Sequence, residues 1–172
     1  MSQRGFTLVE LVVVVIIVAI LAGFALDRLL PLIGRAERAA FLQVQTQLRS
    51  ALMLEAAERL TRGESVRLGE LAKANPMSLL LNAPANYLGS ENRRSDRILP
   101  PASWYYDERA GMLVYLLGKH TRFQPITGPA DRIELAVEFV FTDRDGDGIY
   151  TPARDDFDGL RLASVYAYDW PD

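Results

Sequence analysis

A long, mainly apolar stretch lies near the start of the chain, from Phe6 to Leu26. Of these 21 residues only Glu10 is charged. A helix rises about 1.5 Å per residue, so the stretch predicts a helix about 31 Å long, close to the thickness of a bilayer's hydrocarbon core. A carboxylate inside a membrane segment usually marks function. Because a lone helix in lipid offers Glu10 no partner, we expect its partner on another chain.

The apolar residues become periodic after this stretch, from Arg35 to Leu60. They recur every three or four positions, which is the spacing of one face of a helix. The stripe consists of Phe41, Val44, Leu48, Leu52 and Ala56. Pro31 removes a backbone hydrogen bond between the two parts and predicts a kink, whereas Gly63 predicts the end of the helix. The second half of this long helix therefore needs a domain that covers its apolar face.

Residues 64–100 predict a connecting region with two short helices. The first lies around Val66 to Leu71, and the second begins at Pro76 with Asn75 as its N-cap. Residues that interrupt regular structure follow at Pro84, Asn86 and Gly89. A basic segment then contains Arg93, Arg94 and Arg97. We interpret that segment as a solvated surface loop.

Alternating apolar and polar residues, typical of half-buried strands, appear from Ala102 onward. Four strands are predicted, at Trp104–Tyr106, Met112–Leu117, Ile133–Phe141 and Leu160–Tyr168. A five-residue turn ending at Gly111 joins the first two strands into a β-hairpin. The predicted fold class is therefore α+β, with a long N-terminal helix packed on a four-stranded antiparallel sheet.

The composition excludes some classes of protein. The net charge of −3 argues against nucleic acid as an obligatory partner. Cysteine is absent, so the loops are held by packing or by a metal rather than by disulfides. Basic side chains outnumber acidic ones by 11 to 7 over residues 28–100, whereas acidic ones lead by 11 to 4 over residues 131–172. Such a dipolar chain suits contacts between neighbouring copies, although a solvated surface is the commoner explanation.

The segment Gly5-Phe6-Thr7-Leu8-Val9-Glu10 resembles the processing site of type IV pilins and type II secretion pseudopilins. The resemblance implies that a prepilin peptidase cleaves after Gly5 and that the new N-terminus, Phe6, is N-methylated. It also implies that the apolar helix packs with other pilin or pseudopilin subunits in a helical filament. Glu10 would then form an ion pair with the terminal amine of a neighbouring subunit.

The same resemblance implies a division of the chain into a leader (residues 1–5), a transmembrane assembly helix (6–27) and an extracytoplasmic pilin-like domain (28–172). The precursor would sit in the inner membrane with this domain in the periplasm, and would enter a pilus or pseudopilus after assembly. The order Tyr-Leu-Gly, Trp-Tyr-Tyr-Asp, Leu-Val-Tyr is similar to that of minor pilins of the mannose-sensitive haemagglutinin pilus type. A head without disulfides favours a minor pilin or pseudopilin over a major subunit.

Two other interpretations of the N-terminus stay open. A conventional signal peptide has an apolar region of about 7–15 residues, and Gly23-Phe24-Ala25 offers a cleavage site for it. An ordinary single-pass anchor is the second. Neither accounts for an acid within a run of this length. The positive-inside rule does not decide the orientation, because Arg4 lies on one side and Arg28, Arg35 and Arg38 on the other.

A single candidate metal site lies between the last two predicted strands. Asp143, Asp145 and Asp147, with Gly148 next, resemble the start of an EF-hand calcium loop, in which oxygens surround a hard cation. The twelfth position, where a bidentate glutamate belongs, is Arg154. Asp155 and Asp156 follow and are candidates to complete a different shell. The alternative is a solvated, aspartate-rich hairpin turn.

Catalytic motifs are absent from the sequence. His120 is the only histidine, no Gly-x-Ser-x-Gly elbow is present, and the paired acids Asp155 and Asp156 have no recognisable pocket. We therefore expect a structural subunit rather than an enzyme. The alternative class is a membrane-anchored extracytoplasmic binding domain or enzyme that is unrelated to filaments.

Overall fold

The computed structural model describes residues 7–91 and 99–171. One long helix, α1 (Leu8–Thr61), opens the described chain. Thr7 caps its start, because the Thr7 hydroxyl oxygen accepts a hydrogen bond of 3.2 Å from the N–H of Glu10. The helix continues through Pro31 without a break. The predicted joining of an apolar half and an amphipathic half in one helix is confirmed.

The end of α1 is built around Gly63, as the sequence predicts. Gly63 has φ of +75°, and its N–H donates to the carbonyl of Leu60 at 3.0 Å. The N–H of Glu64 donates to the carbonyl of Arg59 at 2.8 Å. These two bonds form the Schellman arrangement, in which a residue of positive φ closes the last turn.

The connecting region contains two 3₁₀ turns, Ser65–Ala72 and Pro76–Leu79. Asn75 caps the second one, since its side-chain oxygen accepts a hydrogen bond of 3.0 Å from the N–H of Met77. The predicted positions of both short helices and of this cap are confirmed. The basic segment with Arg93, Arg94 and Arg97 lies outside the described residues.

The main sheet has five strands, which are, in their order across the sheet, β1 (Tyr87–Glu91), β2 (Ser103–Asp107), β3 (Met112–Leu116), β5 (Arg132–Thr142) and β6 (Asp156–Ser164). β1 pairs in parallel with β2, and the other neighbours are antiparallel. The prediction of a four-stranded antiparallel sheet is therefore wrong in its count and in its uniform direction.

The missed strand, β1, is short and irregular. Gly89 has φ of +93°, and the register of β1 with β2 shifts between Tyr87 and Ser90. A five-residue strand with a glycine at its centre has no clean alternation of apolar and polar residues. The prediction therefore treated Gly89 as an interruption, whereas it lies inside an edge strand.

A second, two-stranded sheet joins β4 (Gln124–Pro125) to β7 (Tyr168–Asp169). The last strand was predicted to run from Leu160 to Tyr168, but β6 ends at Ser164. The N–H of Val165 still donates to the carbonyl of Glu134, close to the start of β5, and little of the neighbouring strand remains beyond that point. The chain turns there and pairs Tyr168 with Pro125 instead.

The core lies between the second half of α1 and the main sheet. Phe41, Leu48, Leu52 and Ala56 of the predicted stripe are buried, and Val44 packs against them. The ring of Phe41 stacks on Trp104 with centroids 5.1 Å apart and planes 5° apart. Such aromatic pairs contribute about 0.5–1.5 kcal/mol beyond the area that they bury. Gln45, a polar residue of the same helix, is also buried.

Candidate assembly helix and aspartate loop

The first part of α1 has no cover within the described structure. Every residue from Leu8 to Leu30 is exposed, and the first buried residue of the helix is Gly34. The most apolar 18-residue window of α1 has a mean hydropathy of 3.0, and none of it is buried. By length and composition this segment can cross a membrane.

Glu10 lies on this uncovered part of α1 and is itself exposed. Its backbone N–H donates to Thr7, but its carboxylate makes no ion pair with any residue in 7–91 or 99–171. A charge in this position is costly in lipid unless it is paired. The expectation that another chain supplies the partner stays a prediction. The predicted cleavage and methylation positions, Gly5 and Phe6, lie outside the described residues.

The head is the domain that the second half of α1 forms with the two sheets. At its base, a loop is held against α1 at Gly34 and Glu37. Gly34 is packed so closely against the loop of residues 117–123 that a Cβ there would collide with the carbonyl oxygen of His120. One turn further on, Glu37 Oε1 accepts hydrogen bonds from the hydroxyl of Tyr115 at 3.1 Å and from the N–H of Gly118 at 2.7 Å. These contacts fix the height at which the head meets the helix.

The Tyr115 hydroxyl is a buried neutral donor in this arrangement. Burial is the main cause that raises the pKa of Tyr115 above its ordinary value, and the negative charge of Glu37 and the hydrogen bond to it add to the increase. Periodicity singled out neither member of this pair. A glutamate three residues after a helical glycine, Gly34-Arg35-Ala36-Glu37, was the available signal.

The aspartate loop joins β5 to β6 and brings three predicted ligands together. One carboxylate oxygen from each of Asp143, Asp145 and Asp147 lies within 4.8 Å of the others. Asp143 accepts hydrogen bonds from the N–H of Gly148 at 2.8 Å and of Gly146 at 2.6 Å. These bonds lower the pKa of Asp143 below its ordinary value, so the group is ionised at neutral pH.

The other two predicted ligands are engaged elsewhere. Asp155 is buried, and its two carboxylate oxygens accept the N–H of Arg144 at 3.0 Å and the N–H of Thr151 at 2.6 Å. Asp156 forms an ion pair with the guanidinium of Arg144. Arg154, at the twelfth loop position, pairs with Asp145 at 3.1 Å. Asp155 therefore closes the neck of the loop and lies outside the cluster of three.

Aromatic rings support the aspartate loop from below. Phe139 contacts Tyr150 with centroids 4.9 Å apart and Phe157 with centroids 5.2 Å apart, and Phe141 lies 5.6 Å from Tyr150. Tyr150 and the exposed Ile149 also line an open cleft beside the first 3₁₀ turn. The loop thus exposes its carboxylates on one side and packs on apolar rings on the other.

His120, the single histidine, has an exposed side chain. Its contact with α1 is made by its backbone carbonyl, beside Gly34. Among the described residues, no hydrogen bond or ion pair engages the imidazole of His120.

Residues 1–26 match a known family, described as the prokaryotic N-terminal methylation motif. A comparison with solved structures finds no match for the chain. The motif match confirms the resemblance to type IV pilins and pseudopilins that residues 5–10 carry. It covers the segment up to Leu26, so it says nothing of the head. The motif and the uncovered apolar helix together fit membrane anchoring and assembly with other subunits of this kind.

Proposed function

We propose that this protein is a structural subunit, a minor pilin or pseudopilin, of a type IV pilus or a type II secretion-like filament. One observation carries the proposal: a prokaryotic N-terminal methylation motif leads directly into an apolar helix that the head leaves uncovered. A filament of packed helices would cover that surface. The subunit would have no enzymatic activity, and its resemblance to minor pilins of the mannose-sensitive haemagglutinin type remains a prediction.

The proposal gives each part of the chain a task. A prepilin peptidase removes residues 1–5, and Phe6 becomes the methylated N-terminus. Residues 6–27 anchor the precursor in the inner membrane and later pack against other subunits. Residues 28–172 form the head, which we place in the periplasm and, after assembly, on the pilus or pseudopilus.

The mature N-terminus is the direct test. Mass spectrometry of the protein isolated from cells that contain a prepilin peptidase should show N-methylated Phe6. An intact Met1, or a start near Leu26, would instead support the other class, a membrane-anchored binding domain or enzyme. Replacing Gly5 by valine should block the cleavage, because the peptidase of this family recognises the residue before the cut. Equal migration of the wild-type and Gly5→Val chains would contradict processing at this position.

The role of Glu10 follows from charge and burial together. Cleavage frees the amine of Phe6, and helices packed in a filament enclose both groups, where an unpaired charge is costly. The two residues are four positions apart, so a pair within one helix is the alternative to a pair between subunits. Glu10→Ala should leave insertion and cleavage intact but sharply reduce incorporation into filaments. Glu10→Asp should be intermediate, because the shorter side chain keeps the charge and loses reach.

A matched control is available on the same helix. Asp27→Ala removes an acid of equal charge at the far end of the apolar stretch, and we expect near-normal incorporation for it. Cross-linking between single cysteines placed in residues 7–20 reports contacts between neighbours. Wild-type cross-linking and incorporation for Glu10→Ala would contradict the assembly role.

For the aspartate loop, we propose calcium binding by Asp143, Asp145 and Asp147. Three carboxylates with oxygens this close suit a hard cation, which takes six to eight oxygen ligands. Carbonyl groups and water would supply the rest. Asp155 and Asp156 would join only by giving up the N–H groups and the arginine that they now hold.

Thermal unfolding of the full chain in detergent tests this proposal. Calcium at a hundredfold excess over its Kd should stabilise the fold by about 2.7 kcal/mol relative to chelator. Asp145→Asn should abolish the increase in Tm, whereas Asp131→Asn, the same change outside the loop, should retain it. An unchanged Tm at millimolar calcium would show that the loop is an ordinary turn that binds no calcium.

A further inference from the structure

The membrane-proximal base of the head carries a group of exposed basic side chains that assembly through the apolar helix does not use. We call this group the basic collar. It consists of Arg28, Arg35, Lys119 and Arg122, with the exposed His120 beside them. The side chains of Arg28, Arg35 and Lys119 form no ion pair with the rest of the described chain. The collar therefore presents positive charge to whatever lies beneath the head.

Two elements that are distant in sequence form the collar. The loop of residues 117–123 meets α1 at Glu37, through the N–H of Gly118, and at Gly34, through the carbonyl of His120. Arg122 then reaches a cleft lower on the helix. That cleft is lined by Asp27, Arg28, Pro31, Leu32, Arg35 and Arg122. The loop thus descends along α1 toward the apolar segment and brings its basic residues beside those of the helix.

The height of the collar places it at a membrane surface. At about 1.5 Å per residue, Arg28 lies about 3 Å and Arg35 about 14 Å beyond Leu26, the last residue of the apolar stretch. The headgroup layer adds roughly 5–8 Å to each side of the hydrocarbon core. Electrostatic attraction extends about another 8 Å at physiological ionic strength. The basic side chains therefore lie within the headgroups or within reach of them.

The charge balance at this level is positive although the chain as a whole is acidic. Arg122 and the neighbouring Arg38 are already engaged in contacts of their own. The three other Lys and Arg side chains, Arg28, Arg35 and Lys119, still outnumber the two acids, Asp27 in the cleft and Glu37 beside it. The carboxylate of Glu37 already accepts hydrogen bonds from Tyr115 and Gly118. The net charge of the whole sequence is −3.

We propose that the basic collar binds the headgroups of anionic phospholipids in the membrane that α1 enters, and so holds the head against that membrane before assembly. The inference rests on the membrane anchoring that the proposed function includes, and it holds for a head on either side of the bilayer. Each Lys or Arg near an anionic surface strengthens binding about fivefold. Arg28, Arg35 and Arg122 line the same cleft as Pro31 and Leu32, so their apolar stems would lie along it while their charges stay among the phosphates.

The test is lipid selectivity of the full chain. The protein is reconstituted in vesicles of phosphatidylcholine with a minor fraction of phosphatidylglycerol and extracted gently with detergent. Mass spectrometry then compares the ratio of the two lipids that stay bound with their ratio in the vesicles. The wild type should enrich phosphatidylglycerol about tenfold or more, and the enrichment should fall at high salt.

Matched variants separate the collar from charge in general. Arg28→Gln/Arg35→Gln/Lys119→Gln should lose the enrichment. The control Arg62→Gln/Lys73→Gln/Arg109→Gln removes three exposed basic residues elsewhere on the head and should retain it. A variant that keeps the charges, Arg28→Lys/Arg35→Lys/Lys119→Arg, should also retain it.

Several outcomes would overturn the proposal. Equal retention of both lipids by an inserted wild-type chain would overturn the lipid role alone. Loss of enrichment in the control triple variant would show that basic residues outside the collar retain the anionic lipid. Displacement of the lipid by soluble sn-glycerol 3-phosphate would show that the collar binds a free anion rather than a membrane lipid. Failure of the chain to resist alkaline extraction from the vesicles would overturn the membrane anchor as well.

Discussion

At the scale of single residues, Gly34 decides how closely the head approaches α1. A methyl group at this position would meet the backbone carbonyl of His120, which a side-chain rotation cannot move away. Alanine favours a helix over glycine by about 1 kcal/mol, but overpacking of this kind costs about 1–3 kcal/mol. We therefore expect Gly34→Ala to release the loop of residues 117–123 from the helix.

Hydrogen exchange is the measurement for this variant. The amide of Gly118, which donates to Glu37, should exchange faster in Gly34→Ala than in the wild type. Gly69→Ala is the control, since a Cβ at Gly69 meets nothing within 4 Å. Unchanged protection of Gly118 would show that the loop tolerates the methyl group.

Tyr115 gives the fold a pH dependence on the alkaline side. Because its pKa is raised in the folded state, the unfolded chain loses the phenolic proton first, near pH 10. Folding stability is therefore fully present below about pH 10 and falls as the pH rises beyond it. Tyr115→Phe removes the proton and should flatten the decline in the free energy of unfolding between about pH 9 and pH 11. An equally steep decline in the variant would assign it to other groups.

At the scale of elements, the neck of the aspartate loop depends on Asp155. Asp155→Ala deprives two backbone N–H groups of their acceptors, and each loss of this kind costs about 1–3 kcal/mol where the donor stays buried. The variant should lower the Tm clearly. Asp147→Asn should change it little without calcium, because Asp147 is exposed and can still accept the N–H of Ile149. Equal Tm values for the two variants would contradict the distinction.

The elements that the sequence predicted are those with strong local signals. The stripe from Phe41 to Ala56 has helical period, Asn75 and Gly63 occupy cap positions, and β5 alternates over 11 residues. These signals depend on residues that are only a few positions apart, so they can be recognised in a single sequence without knowledge of the tertiary contacts. The three clustered aspartates belong to the same class, because they are close in sequence.

What the sequence did not predict depends on distant partners. β1 exists because β2 offers it a parallel edge, and β7 because Pro125 lies opposite Tyr168. The contacts of Glu37 with Tyr115 and Gly118 join residues about 80 positions apart. The burial of Asp155 depends on how the loop folds back. Periodicity has no information on such pairings.

At the scale of the whole molecule, the first 23 residues of α1, Leu8 to Leu30, are all exposed and contribute no buried residue to the head. We therefore expect a truncated chain of residues 28–172 to keep the Tm that the head has in the full chain in detergent. A chain of residues 38–172 lacks Gly34 and Glu37 and leaves Tyr115 and Gly118 without their acceptor, so it should melt lower. Calorimetry of both fragments checks this, and equal Tm values would show that the base contacts are dispensable.

The continuity of α1 has a mechanical consequence. The helix that the proposed function places in the bilayer is also the helix whose Phe41 stacks on Trp104 of the sheet. A force on the head would therefore reach the membrane through one continuous helix. The helix is weakened at Pro31, because proline has no N–H and one backbone carbonyl in the preceding turn lacks its usual hydrogen bond. That turn lies just below the contact at Gly34, outside the part that the head braces. Under load, bending concentrates there, and the head tilts as a rigid body while its core stays unstrained.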